Sequence, residues 1–112
     1  MAKRFLITSD RIGKGDDDLG AVLMRNFLYS LAREELTPVA IHFVNAGVRL
    51  ACEGSSSLDD LRILEEKGVA LRACGTCLEY LGLKESLAVG EIGAMPGLVS
   101  AMCGSDEVVT IA

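Results

Sequence analysis

The sequence has few positive charges and gathers none of them into a cluster. Its 11 Lys and Arg stand against 16 Asp and Glu, a formal net charge of −5, and the run Asp16–Asp17–Asp18 is acidic. Nucleic acids and anionic membranes both reward basic patches, so neither is an expected partner. Long apolar runs are missing too. The run after Lys3 and Arg4 is only Phe5–Leu6–Ile7, too short for the apolar core of a secretory signal. The uncharged stretch from Ile92 to Ser105 is broken by Gly93, Pro96, Gly97 and Gly104. Nothing approaches the roughly 18 apolar residues of a membrane helix. The expected location is the cytoplasm, where thiols stay mostly reduced and a close cysteine pair reads as chemistry rather than as a staple. Linkers, repeats and low-complexity tracts are absent, so the 112 residues read as one domain.

What the chain does have is apolar content, 50% of residues, arranged as strand-like runs alternating with helical patterns. Arg4–Thr8 reads as a strand and Asp16–Glu35 as a long helix whose acidic first turn suits the positive end of the helix dipole. Val39–Val44 reads as a buried strand after the Pro38 breaker, followed by a turn at Asn45–Ala46–Gly47. Ser57 reads as an N-cap with Asp60 as its capping-box partner, opening a helix that runs to Lys67 and closes at Gly68. Val69–Ala73 is a third strand, Cys77–Leu81 a short helix, Leu87–Val89 a candidate fourth strand, Met95–Met102 a helix and Val108–Ile111 a final strand. Such alternation predicts an α/β fold with a mainly parallel sheet covered on both faces. In such sheets the functional site lies beyond the carboxyl ends of the strands. That edge should gather Ser9–Gly15, Asn45–Gly54, Cys74–Cys77 and Gly90–Met95.

The first helix carries more apolar surface than a single stripe. Leu19, Val22, Leu23 and Phe27 make one face, and Ala21, Met24, Leu28 and Leu31 make its neighbour. A surface helix normally shows one stripe. The second reads either as an interface in a homo-oligomer or as a wide core face.

Cys74–Gly75–Thr76–Cys77 is the sharpest local signal. The pair follows a strand and opens a helix, where N–H groups and the helix dipole favour a thiolate. Gly75 lets the chain turn tightly beside the first sulfur. The spacing lets the two sulfurs form a disulfide, or lets one resolve a species carried by the other. The competing reading is two inert cysteines in the core, where free cysteines commonly lie. A structural zinc site needs four Cys or His ligands. The remaining candidates, Cys52, Cys103 and His42, are isolated in sequence, so the expectation is no metal and no resident cofactor. His42 alternates with Ala40 and Val44 in an apolar strand and reads as a core histidine, and Cys103 reads as packing at a helix end.

Gly13–Lys14–Gly15 fails as a phosphate loop. No Ser or Thr follows the lysine, and Asp16–Asp17–Asp18 would repel a phosphate. Asn45–Ala46–Gly47 reads either as an ordinary turn or as a source of backbone donors beside the cysteines. Asn45, Gly47, Gly75 and Thr76 are therefore the candidate substrate-binding positions, with Cys74 and Cys77 as the candidate catalytic pair.

Taken together, these stretches resemble the DsrE/DsrF-like sulfur-relay family, and within it the C-terminal domain of YedF-type proteins associated with selenium metabolism. The resemblance rests on Ser9–Asp10, Gly13–Gly20 with Leu23–Met24, Phe43–Val48, Gly68–Val69, Cys74–Leu78 and Val89–Gly93. It implies a three-layer α/β/α fold with a five-stranded parallel sheet, frequent homo-oligomers, and a persulfide at the position of Cys74. Cys77 has no counterpart in many relatives. The small cysteine-bearing domain that usually precedes this one in YedF-type proteins has no counterpart among these residues. Ala94–Met95–Pro96 stands where those proteins tend to show Asn-Met-Tyr.

The resemblance implies a sulfurtransferase-like carrier of sulfur or selenium, whose partners are donor and acceptor proteins or small sulfur species. Two other readings stand beside it. One is a thioredoxin-type dithiol–disulfide oxidoreductase. Against it, the chain has no Trp, and only Pro96 follows a strand near the pair. The other is a non-enzymatic oligomeric module that senses redox state or binds a small ligand.

Overall fold

The computed structural model describes residues 2–112. Five strands, β1 (Lys3–Ile7), β2 (Ala40–Phe43), β3 (Ala70–Cys74), β4 (Glu91–Gly93) and β5 (Glu107–Ile111), form one sheet. All its pairings are parallel, in the order β4-β3-β2-β1-β5. Four α-helices connect the strands: α1 (Asp17–Ala32), α2 (Leu58–Glu66), α3 (Gly75–Tyr80) and α4 (Met95–Met102). The chain steps from β1 through β4 in one direction and then returns past three strands to β5. Right-handed crossovers therefore place α1, α2 and α3 on one face and leave α4 alone on the other. This is the α/β architecture expected from the alternation of runs.

The two faces are unequally covered. Alternate strand residues point the same way. On the closed face Ile7, Ile41, Phe43, Leu71 and Ala73 are buried against Met24 and Leu28 of α1, Leu61 and Leu64 of α2, and Leu78 of α3. On the open face Arg4, Leu6, His42 and Arg72 are only half-buried. The helix above them, α4, has no buried residue and exposes Met95, Val99 and Met102. Both faces are covered, unequally, because a single helix of 8 residues spans the open face of a five-stranded sheet.

Four local expectations are corrected. On α1, Met24 and Leu28 are 0% exposed and Leu31 8%, whereas Leu19 is 55% and Leu23 42% exposed. The interface reading of the second stripe gives way to the core-face reading at Met24, Leu28 and Leu31, while Ala21 is exposed; in the neighbouring stripe Leu19, Val22 and Leu23 face outward and Phe27 packs against the core. The Ser57–Asp60 capping box does not form. Ser57 makes no side-chain cap bond, and the Asp60 carboxylate instead accepts from the Arg33 guanidinium at 2.9 Å. The fourth strand is Glu91–Gly93 and not Leu87–Val89. Val89 is buried in the core, and Leu87 makes only an isolated antiparallel bridge to Cys52. Asn45–Gly47 is the start of a 3₁₀ segment running from Asn45 to Ala51 rather than a plain turn.

The acidic start of α1 is a cap, as its sequence suggested. The Asp16 side chain accepts the Leu19 N–H at 2.9 Å. No helix among the described residues is long and apolar enough to cross a membrane.

Candidate functional site

Cys74 is the last residue of β3 and Cys77 lies in the first turn of α3. Both are half-buried free thiols. The helix begins at Gly75, two residues earlier than the sequence suggested. Gly75 packs closely on β4: a Cβ there would come within 2.9 Å of the Ile92 Cγ2 and 3.4 Å of the Gly93 carbonyl oxygen, so the Ile92 side chain would have to shift.

Cys74 caps α3 without a side-chain cap bond. A backbone donor comes from the segment after β2, one of the two readings of Asn45–Ala46–Gly47: the Asn45 N–H reaches the Cys77 Sγ at 3.1 Å. Asn45 is the only non-glycine among the described residues with positive φ, at 51°. That left-handed conformation is strained for most side chains and tolerated best by Asn and Asp. It turns the chain sharply at the end of β2 and aims the amide at the cysteine pair.

Gly47 sits deeper. Its own N–H donates to the Val44 carbonyl at 2.9 Å, and a Cβ there would run into the Ile7 carbonyl. This glycine lets the 3₁₀ segment press against the end of β1, which fixes where Asn45 emerges. Thr76 is exposed and lines an open depression of about 270 Å³ together with Asn45, Cys77, Tyr80 and Leu81.

The surroundings of Cys77 act on its proton. Burial pushes the Cys77 thiol above its ordinary value, the Asn45 N–H pulls it part of the way back, and the neighbouring Cys74 side chain pushes it up again. Cys77 is therefore a neutral thiol at pH 7 and keeps its proton beside the Cys74 sulfur.

The sulfurs also face different openings. Cys74 lines a narrow crevice under the start of α4 with His42, Arg72, Gly93, Met95 and Leu98. Cys77 lines the depression beside Tyr80, a side chain that is 89% exposed.

The other cysteines stand apart. Cys52 is buried, its thiol pushed up by that burial, and its S–H donates to the Val48 carbonyl at 3.2 Å. Cys103 is exposed at the end of α4. No group of three or more His, Cys, Asp or Glu among the described residues comes together as a metal site. Of the four segments expected along the carboxyl edge, those after β2, β3 and β4 meet at the cysteines. Ser9–Gly15 lines neither opening.

Sequence reasoning passed over Arg72 and set His42 aside as core. The signal for Arg72 was present: it lies two residues before Cys74 in one strand, so both point to the same face. His42 is its register partner on β2. Tyr80 left no sequence signal beyond being aromatic at the end of a short helix.

No protein-family model matches the chain, and no curated protein matches it. Solved structures do. The ychN protein from E. coli covers 99% of this chain and 100% of its own length at 19% identity, with a TM-score of 0.66. A protein of unknown function, MTH1491 from Methanobacterium thermoautotrophicum, covers 97% of both chains at 20% identity, with a TM-score of 0.69. Identities at this level establish the fold alone, and this chain shares it with both.

Proposed function

We propose that this chain is a sulfur carrier in which Cys74 holds a persulfide and Cys77 resolves it. The observation that carries the reading is the asymmetric pair at the end of β3. One sulfur opens toward the free face of the sheet, and the other is a protonated thiol held by the Asn45 amide.

In the loading step the Cys74 thiolate attacks the outer sulfur of a donor hydropersulfide. The donor's S–S bond breaks, a new S–S bond forms on Cys74, and the electron pair leaves with the donor thiolate. In unloading, an acceptor thiolate takes the terminal sulfur in the same way. Alternatively, Cys77 gives up its proton and attacks the Cys74 Sγ, which closes a disulfide and expels hydrosulfide. A dithiol reductant then restores the pair with two electrons. Selenium in place of the transferred sulfur follows the same bookkeeping. The donor and acceptor are proteins or small sulfur species.

The shared fold and the Cys-Gly-Thr-Cys resemblance support the sulfur reading over thioredoxin-type exchange. So does Pro96, which lies in the first turn of α4 as a helix-opening proline. Self-association belongs to the same proposal. The exposed apolar side chains available to it include Leu19, Val22 and Leu23 on α1 and Met95, Val99 and Met102 on α4. Light scattering across a wide concentration range tests it, and a monomer throughout refutes it.

Intact-mass measurement after treatment with a persulfide donor tests the chemistry. Cys77→Ser should accumulate one added sulfur and Cys74→Ser should not, while the wild type shows the adduct or a disulfide with sulfide released. If no protein with Cys74 intact gains sulfur or releases sulfide, and the wild type reduces protein disulfides efficiently, the carrier reading is wrong and disulfide exchange replaces it.

A further inference from the structure

The open face of the sheet holds a groove that the cysteine chemistry leaves unexplained. It encloses about 570 Å³ between α4 and strands β1 to β4. Its walls include Ala40, Ala70, Leu98 and Ala101, and its floor carries three nitrogen-bearing side chains, Arg4, His42 and Arg72. These come from three adjacent strands: His42 is the register partner of Leu6 on β1 and of Arg72 on β3. A basic row across the middle of a sheet is unusual in a chain whose net charge is −5.

The two guanidinium groups differ in how they are engaged. The Arg4 Nε donates to the Asp106 carboxylate at 2.8 Å, and its outer nitrogen lies 3.4 Å from the His42 Nε2. Arg72 makes no ion pair among the described residues. Its one side-chain hydrogen bond goes to the Leu71 carbonyl at 3.1 Å. Half-buried guanidinium forks of this kind are suited to carboxylates and other oxyanions. His42 carries the imprint of the same excess charge: burial and the nearby Arg4 and Arg72 hold its imidazole below the usual histidine range.

The groove leads to the reactive sulfur. Arg72 and Cys74 lie on one face of β3, about 6.6 Å apart along the strand at 3.3 Å per residue. His42, Arg72, Gly93, Ala94 and Leu98 line both the groove and the crevice that contains Cys74. The volume falls within the ~300–1,000 Å³ of small-molecule sites. It far exceeds what a four- or five-atom inorganic oxyanion fills, and the apolar walls suit a carbon skeleton.

We propose that this groove binds the carboxylate-bearing part of a low-molecular-weight thiol persulfide, with Arg72 as the principal cation, and presents the persulfide's outer sulfur to Cys74. The proposal rests on the sulfur-carrier reading and names its donor class. Loading is R–S–SH plus the Cys74 thiolate giving Cys74–S–SH plus R–S⁻. The sulfane sulfur changes partner, no net oxidation occurs, and the departing thiolate leaves with its carboxylates still facing Arg72 and Arg4.

Two measurements test it. The first compares sulfur loading, read by intact mass, from glutathione persulfide and from the uncharged persulfide of N-acetylcysteinamide. Wild type should prefer the anionic donor by about tenfold, the scale of one charge-assisted hydrogen bond. Arg72→Gln should erase that preference, and Arg72→Lys should retain part of it. A ratio near one in wild type, or a ratio unchanged in Arg72→Gln, overturns the proposal. Loading from neither donor overturns the carrier reading instead.

The second measurement is independent of sulfur chemistry. His42 is the only histidine, so its ring resonances report the groove without ambiguity. Titration with S-methylglutathione, which carries the carboxylates but no reactive thiol, should shift those resonances and raise the His42 pKa as the anion offsets Arg4 and Arg72. Besides these two arginines, Asp106 acts on the ring through Arg4, and the α4 residues lining the groove carry no charge. Resonances that respond to protein concentration and not to S-methylglutathione give the groove to a second copy of the chain and overturn the proposal.

Discussion

The two faces of the sheet are written by alternate residues of the same strands, and they have separate tasks. Ile41 and Phe43 on β2 and Leu71 and Ala73 on β3 point to the closed face and are buried under three helices. Between them His42 and Arg72 point the other way, toward a groove under a single helix. The closed face buries enough apolar surface to hold the domain together. The open face carries charge, a groove and the Cys74 thiol. Core burial and the proposed sulfur chemistry are thus segregated by one-residue steps along the strand.

Adjacent residues in β2 sharpen this contrast most directly. Phe43→Ala should destabilise the domain by about 3–5 kcal/mol, the scale of deleting a buried aromatic ring. That is a large part of the roughly 5–15 kcal/mol available to a domain of this kind. Urea denaturation checks it, and a loss under 1 kcal/mol would mean that the closed face is not what holds the fold.

His42, one residue earlier, should matter less and in a way that depends on pH. Its folded-state pKa is lowered by burial first and then by Arg4 and Arg72. The unfolded chain then binds the proton more readily. Any stability linked to the neutral ring is fully present above the ordinary histidine value of about 6.5 and is lost as the pH falls below it. Denaturation midpoints of wild type and His42→Gln, taken from pH 7.5 down to pH 5, should converge on acidification. A wild type that gains on the variant as the pH falls would reverse the sign and place a carboxylate, not arginines, around the ring.

The smallest effect belongs to a pair on neither face. Arg62 and Asp59 meet at 3.5 Å on the exposed side of α2, a geometry whose worth is about 0–1 kcal/mol. Arg62→Ala should leave the urea midpoint within error of wild type. A clear loss there would show that stability is not confined to the closed face.

The sequence was readable where pattern and burial coincide. The parallel α/β order followed from runs such as Val39–Val44 and Val69–Ala73, whose Ile41, Phe43, Leu71 and Ala73 are apolar because they are covered. It was misread where apolar residues serve something other than their own element. Leu87 and Val89 look like a strand, yet they turn into the core, while the true edge strand Glu91–Gly93 leaves Glu91 and Ile92 exposed and so lacks the pattern. On α1 two adjoining stripes were both apolar. Only the packing of α2 beside it decides that Met24 and Leu28 face inward.

The cysteine pair was legible because its spacing is local. The Asn45 amide was placed nearby by topology, but its donation to Cys77 depends on a backbone angle that no residue pattern encodes. Arg72 could have been found by counting two residues back from Cys74.

The lone crossover on the open face has a consequence for timescales. Because α4 buries none of its residues, few contacts oppose its departure from the sheet. Its opening free energy should then lie well below that of the whole domain. Such a helix unfolds or swings as its own cooperative unit while the strands beneath stay intact. A ligand seated against Arg72 would add contacts to α4 and draw that sub-global equilibrium toward the folded helix.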